Sequence, residues 1–176
     1  MDFETVVKRR RMCREFLDRD MPQEKIDRIL DMASRYPSAG HTEPQEFIVV
    51  RDQRVKHDLV QAALDQMFVT QAPVVIVVIS DVRRSARRYG ERGVRFFSII
   101  DGAFVAMLIL LVVVEEGLGA CFVGSFYDEA VQEVLSLPQE VRPIGIIPIG
   151  YCAEAPRRFP RRSREHIVHL DRYRSR

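Results

Sequence analysis

What the chain lacks narrows it first. Its three cysteines, Cys13, Cys121 and Cys152, are odd in number, form no C-x-x-C pair and stand far from paired histidines. From that pattern neither a disulfide framework nor a zinc site is expected, and a reducing, cytoplasmic setting fits best. The opening Met1-Asp2-Phe3-Glu4 has no basic region followed by an apolar one, so no secretory signal is read there. The G-x-x-x-x-G-K-S/T loop and a post-strand G-x-G-x-x-G are missing, as are G-x-S-x-G and H-E-x-x-H. Nucleotide binding through a glycine loop, a serine nucleophile elbow and a zinc-protease helix are left without support. Charge of one sign is also scarce: a net +2 is too small to imply a polyanion partner, although the arginines are clustered.

What is present is a chain of 176 residues, 47% hydrophobic and 30% charged. That length predicts one domain, residues 1–176, burying about 70% of its unfolded surface. No internal repeat or second-domain boundary interrupts it. The organising stretch is Ala103 to Val114, an unbroken apolar run with Asp101 before it and Glu115-Glu116 after it. A bilayer needs roughly 20 apolar residues, so the run predicts a helix buried in a core or a subunit interface. Gly117 and Gly119 stop it. Ala120 to Phe126 then reads as a short buried strand whose Gly124 leaves backbone N–H groups open to a ligand.

Asp2 to Arg11 has Phe3, Val6 and Val7 at helical spacing, followed by Arg9, Arg10, Arg11 and Arg14. By itself that run reads as a solvated basic face; the functional alternative is an anion site, since guanidinium forks grip phosphate bidentately. Asp20 to Gln23 has the form of a capping box, opening an amphipathic helix that runs to about Arg35. Tyr36 to Gln45 is a loop in which His41 and Glu43 can titrate. Phe47 to Val50 predicts a strand, and Val55, Leu59, Ala63 and Met67 a helix. Val74 to Ile79 is apolar without alternation, as in a central strand covered on both faces. Asp81 to Arg95, rich in arginine, reads as a mobile surface loop or short helix with solvated charges. Asp128 is placed to cap a helix through Val131 and Leu135, and Ile144 to Ile149 is another strand. Glu154 to Arg164 is a Pro-rich basic arm, and Ile167 to Leu170 alternates weakly, as a strand added to a sheet edge would. No nucleophile stands with a base, so in an enzyme a cofactor would do the chemistry.

Four segments, in order, carry a family resemblance. Arg10-Arg11-Met12-Cys13-Arg14-Glu15-Phe16 resembles the R-R-S-x-R-x-F opening of the FMN-dependent nitroreductase family, and Pro37 to Phe47 resembles its P-S-x-x-N-x-Q-P-W-x-F loop. Gly117 to Phe126 is similar to its G-L-G-x-x-x-x-G-x-F turn, and Ile147-Pro148-Ile149-Gly150-Tyr151 to its I-P-I-G-Y strand. The resemblance implies an α+β, three-layer α-β-α fold with a central mixed sheet and a long buried helix, assembled as a domain-exchanged homodimer. It also implies FMN, held at its phosphate and ribityl end by Arg10 and Arg14, helped by Arg11, with Met12 at the neighbouring cofactor position and Arg162, or its neighbour Arg161, reaching in from an arm, residues 154–176, packed on the partner subunit. Phe122, Val123, Gly124 and Ser125 would lie against the isoalloxazine ring, and Pro37, Ser38, Ala39 and His41 would cross to the flavin of the other subunit. No side chain is assigned a catalytic role. Hydride would pass from NAD(P)H through the flavin to a small electron-poor acceptor, such as a nitroaromatic or quinone, by ping-pong exchange. Alternatives are dehalogenation or flavin breakdown on the same fold, or a flavin-free basic module for nucleic acid; neither nucleic acid nor a membrane is an expected partner. Met12 stands where the family has Ser, His41 where it has Asn, Glu43 where it has Gln and Gln45 where it has Trp. The first change removes a polar flavin contact, and Glu43 brings negative charge to the loop.

Overall fold

The computed structural model describes residues 1–153, 155 and 160–173. Its helices and strands run α1 (Phe3–Arg9), α2 (Gln23–Ala33), β1 (Gln45–Val50), α3 (Gln53–Ala62), α4 (Phe68–Gln71), β2 (Val74–Asp81), α5 (Val82–Arg92), α6 (Ser98–Glu115), β3 (Gly119–Ala120), α7 (Asp128–Val134), β4 (Val141–Gly150) and α8 (Arg164–Ile167). The sheet has the order β1-β2-β4-β3, and every pair of neighbours is antiparallel. Among the described residues its parallel component is one bridge, Met12 to Ala120, which lays the N-terminal segment along the β3 edge.

The strand residues alternate between two cores because successive side chains leave opposite faces. Val74, Ile76 and Val78 of β2, with Ile147 and Ile149 of β4, pack against α2 and α6. Val75, Val77 and Ile79, with Ile146, pack against α3, α4 and α7. Each fully buried Val or Ile contributes about 1.5–3 kcal/mol by leaving water, which is why β2, buried at all eight positions, lies in the middle. Two helical layers therefore sandwich one sheet. On the far side of α2, Lys25 and Arg28 reach Glu116, and Arg28 also reaches Glu115, fastening α2 to the end of α6. The two glutamates are thus ion-paired rather than simply solvated.

Several local expectations change. The capping box does not form: Pro22 is the N-cap of α2, and Asp20 meets Arg51 instead. Asp128 lies in the first turn of α7 and pairs with Arg142, with Tyr127 at the cap. The helix expected through Met67 ends at Ala62, because Leu64 and Asp65 take positive φ. The arginine-rich stretch is a helix, α5, capped by Asp81 and kinked at Gly90, then joined to α6 through the π-helical turn Gly93–Phe97. Ile167 closes a short helical turn rather than starting a strand. Glu154, Pro156, Arg157, Arg158 and Phe159 of the expected basic arm lie outside the described residues.

Candidate functional site

The first part of the site is the extended segment that follows α1. The helix stops at Arg10, whose ψ of 123° turns the chain outward. The segment is then stitched to the sheet. The Cys13 N–H donates to Ala120 O at 2.9 Å, the Leu17 N–H to Tyr151 O at 2.8 Å, and the Ala153 N–H to Glu15 O at 2.8 Å. Cys13 and Cys152 are joined by a disulfide with Cα atoms 6.0 Å apart. This overturns the expectation of no disulfide: cysteines separated by 139 positions in sequence become neighbours because the segment pairs beside the end of β4. Gly119 makes room, since a Cβ there would stand 2.8 Å from Cys152 Cβ and 2.9 Å from Cys13 Cβ. Arg11 turns inward, and its Nη2 reaches Cys152 Sγ at 3.4 Å. Arg10 is half-buried, while Arg14 is exposed with its guanidinium 5.9 Å from the Phe68 ring centre.

The second part is the turn at Phe122 to Ser125, directly beside Met12. The Phe122 N–H donates to the Met12 sulfur at 3.4 Å, and the Val123 N–H donates to Ile146 O at 2.9 Å. Among the described residues nothing accepts from the N–H groups of Gly124 and Ser125, and both residues are exposed. The open amides expected from the sequence are therefore two. The Phe122 ring rests against Gly145 of β4, in space that any Cβ at 145 would occupy.

The third part, the Pro37–His41 loop, is held from elsewhere in the fold. Its ends are closed by the Gln45 N–H, which donates to Tyr36 Oη at 3.1 Å. Burial pushes the Tyr36 hydroxyl above its ordinary pKa. Gly40, His41 and Glu43 all take positive φ, at 57°, 55° and 43°. Arg84 of α5 donates to Glu43 O at 2.9 Å, and Arg88 donates to Gly40 O at 3.3 Å. From α6, both carboxylate oxygens of Asp101 accept the Ala39 N–H, at 3.1 and 3.2 Å. Burial raises the Asp101 pKa, and the Ala39 N–H opposes that rise. The His41 side chain is 87% exposed, 3.8 Å from the Glu43 carboxylate.

One chain thus joins the Arg10–Arg14 segment to the Phe122–Ser125 turn through Met12, whose sulfur meets the Phe122 N–H, while Arg11 reaches Cys152 and Arg14 lies by Phe68. Pro37, Ser38, Ala39 and His41 are organised separately on α5 and α6, and Arg161 and Arg162 are exposed in the C-terminal tail. Asp101, Arg84, Arg88, Gly145 and the Cys13–Cys152 pair escaped the sequence reading. A lone carboxylate at the head of an apolar helix, and arginines at i and i+4 on one helix, were the available signals.

The sequence profile described as the nitroreductase family matches residues 7–71 and 66–151. A Methanothermobacter thermautotrophicus protein carrying a provisional NADH dehydrogenase/NAD(P)H nitroreductase name is 34% identical over 160 residues, 89% of this chain and 80% of its own. A Bacillus subtilis FMN reductase (NADPH) is 26% identical, over 97% of this chain and 73% of its own. The crystal structure of a nitroreductase family protein from Clostridium difficile superposes with a TM-score of 0.88 at 29% identity, covering 98% of this chain and 100% of that one.

Proposed function

Because the chain belongs to the nitroreductase family, whose FMN- and NAD(P)H-dependent oxidoreductase activity it shares, we propose that it is a homodimer reducing an electron-poor acceptor, such as a nitroaromatic or quinone. Bound FMN would supply the two-electron hydride chemistry between NAD(P)H and the acceptor. Donor and acceptor use one place in turn, a ping-pong exchange.

The residues present fit that group. A phosphate monoester carries close to two negative charges, and Arg10, Arg11 and Arg14 put three guanidinium groups on one extended segment. In this reading they hold the phosphate, joined by Arg161 and Arg162 from the arm at 154–176, packed on the partner subunit. The Gly124 and Ser125 N–H groups, with no acceptor of their own among the described residues, orient the ring edge. Met12 does not replace the lost serine contact, because its sulfur is engaged by the Phe122 N–H. Ser38, Ala39 and His41 reach the flavin of the other subunit. Geometry over the ring, rather than a side-chain acid, supplies most of the catalysis.

The dimer is supported by an uncovered apolar face. Phe96, Ile99, Ile100, Phe104 and Met107 follow one another at helical spacing on α6 and the turn before it, all exposed in the single chain. A second copy would cover them.

The observation that carries the reading is the contact of Met12 with the Phe122 N–H, which joins the arginine-bearing segment to the turn that carries the two open backbone amides. The test is a visible spectrum of the purified protein before and after anaerobic NADH or NADPH. A flavin band that one donor bleaches is expected. A preparation that stays colourless and takes up no added FMN overturns the proposal.

A further inference from the structure

We propose that Asp101 is a positioning residue: from α6 it holds the Ala39 N–H and so sets the Pro37–His41 loop for its contact with the flavin. The inference rests on the function proposed above, and goes further by giving a role to a residue outside the expected site.

Asp101 is 1% exposed, the one buried charged residue of a helix that buries Ser98 in its first turn and Val105, Ala106, Ile109 and Val113 further on. A carboxylate can accept about four hydrogen bonds. This one receives a single backbone N–H shared between its two oxygens, and no cation is paired with it among the described residues. Burying an ionisable group so thinly satisfied works against stability, and an apolar residue of similar size would serve the core better. Its use must lie in what it grips.

What it grips needs an anchor. Three of the four residues from Gly40 to Glu43 have positive φ, and His41 and Glu43 are not glycine, so the loop is held in a conformation it would leave if released. Inside the loop, Ser38 Oγ accepts the Glu43 N–H at 3.1 Å and Thr42 Oγ1 donates to Ala39 O at 3.0 Å. Arg84 and Arg88 take loop carbonyls from α5. Asp101 is the acceptor from outside for a loop N–H, at the residue between Ser38 and Gly40. Because Asp101 and Phe104 are one turn apart on α6, the loop is registered to the same helix that presents the apolar face to a partner.

The test measures FMN affinity by fluorescence quenching on the apo-protein, alongside the melting temperature. Asp101→Leu, which removes the acceptor, is expected to weaken FMN binding about tenfold. Asp101→Asn, which keeps one acceptor oxygen, should restore it to within about threefold. Ala39→Pro removes the donor at a site that tolerates proline, since Ser38 is extended at φ −123°, ψ 150° and Ala39 opens a 3-10 turn. It should weaken FMN as Asp101→Leu does, and the double variant should be no worse than either. If Asp101→Leu does not fold, Ala39→Pro decides alone. Wild-type FMN affinity in these variants, with at most a shift in melting temperature, overturns the inference while leaving the proposed function standing. A wild-type protein that binds no FMN overturns both.

Discussion

Cys13 and Cys152 tie the arginine-bearing segment to the end of β4, closing a loop of 139 residues with their Cα atoms 6.0 Å apart. A cross-link over that length restricts the unfolded chain strongly, and removing it costs about 2–4 kcal/mol. Cys152→Ser, or wild type with reductant, is therefore expected to unfold at lower denaturant than the oxidised protein, with an unchanged native fold. Equal midpoints with and without reductant would show that the bond carries no stability.

The strands and the central helix were legible because each has a periodicity that burial enforces: β2 is apolar at every position, and α6 is a long apolar run with charges at both ends. The Arg10–Arg14 and Phe122–Ser125 segments were legible as motifs, yet nothing local said that they would be stitched to each other. That depends on long-range pairing, Cys13 to Ala120 and Leu17 to Tyr151. The same pairing created the disulfide, which cysteine counting had excluded. Asp101 was read only as a boundary of the apolar run, since burial of a single carboxylate is a tertiary property. The capping box failed because Asp20 found Arg51, a partner about 30 positions away.

Gly145 is where the Phe122 ring rests, so a side chain there must displace the ring. Gly145→Ala is expected to move Phe122, disturb the neighbouring Gly124 and Ser125 amides, and weaken FMN about tenfold or more, at a stability loss of about 1–3 kcal/mol from overpacking. FMN titration and denaturation of the same preparation check the two effects. Unchanged FMN affinity would remove Phe122 from the site.

Asp81 gives stability a definite pH dependence. The side-chain hydrogen bonds from Arg83 hold its carboxyl below the ordinary value of 3.8, outweighing the opposing effect of burial. The unfolded chain therefore takes up this proton at a higher pH than the folded one does. Its contribution is present above about pH 3.8 and is lost as pH falls through the lower folded value. Wild type should exceed Asp81→Asn in stability by a constant margin at neutral pH, and the margin should shrink in acid below that point. Asp101 acts oppositely: its raised pKa favours the folded state in acid, an advantage lost as pH rises through the raised value. Denaturant midpoints of the two proteins from pH 7 to pH 3 check the sign; a margin that widens in acid contradicts it.

Phe104 is 45% exposed and Met107 49% exposed on a helix whose opposite face packs in the core, so the single chain leaves a hydrophobic face unpaired. If a second copy covers it, Phe104→Glu places two symmetry-related carboxylates in an interface that must desolvate both. The substitution is harmless to the isolated fold, because position 104 touches water there, and the circular dichroism spectrum should not change. Sedimentation should instead show a monomer. Since Ser38, Ala39 and His41 are proposed to complete the flavin site of the other subunit, that monomer should also lose most of its FMN. A folded monomer retaining one FMN per chain would mean that the site is complete without its partner, and a persistent dimer would mean that the chains meet on another face.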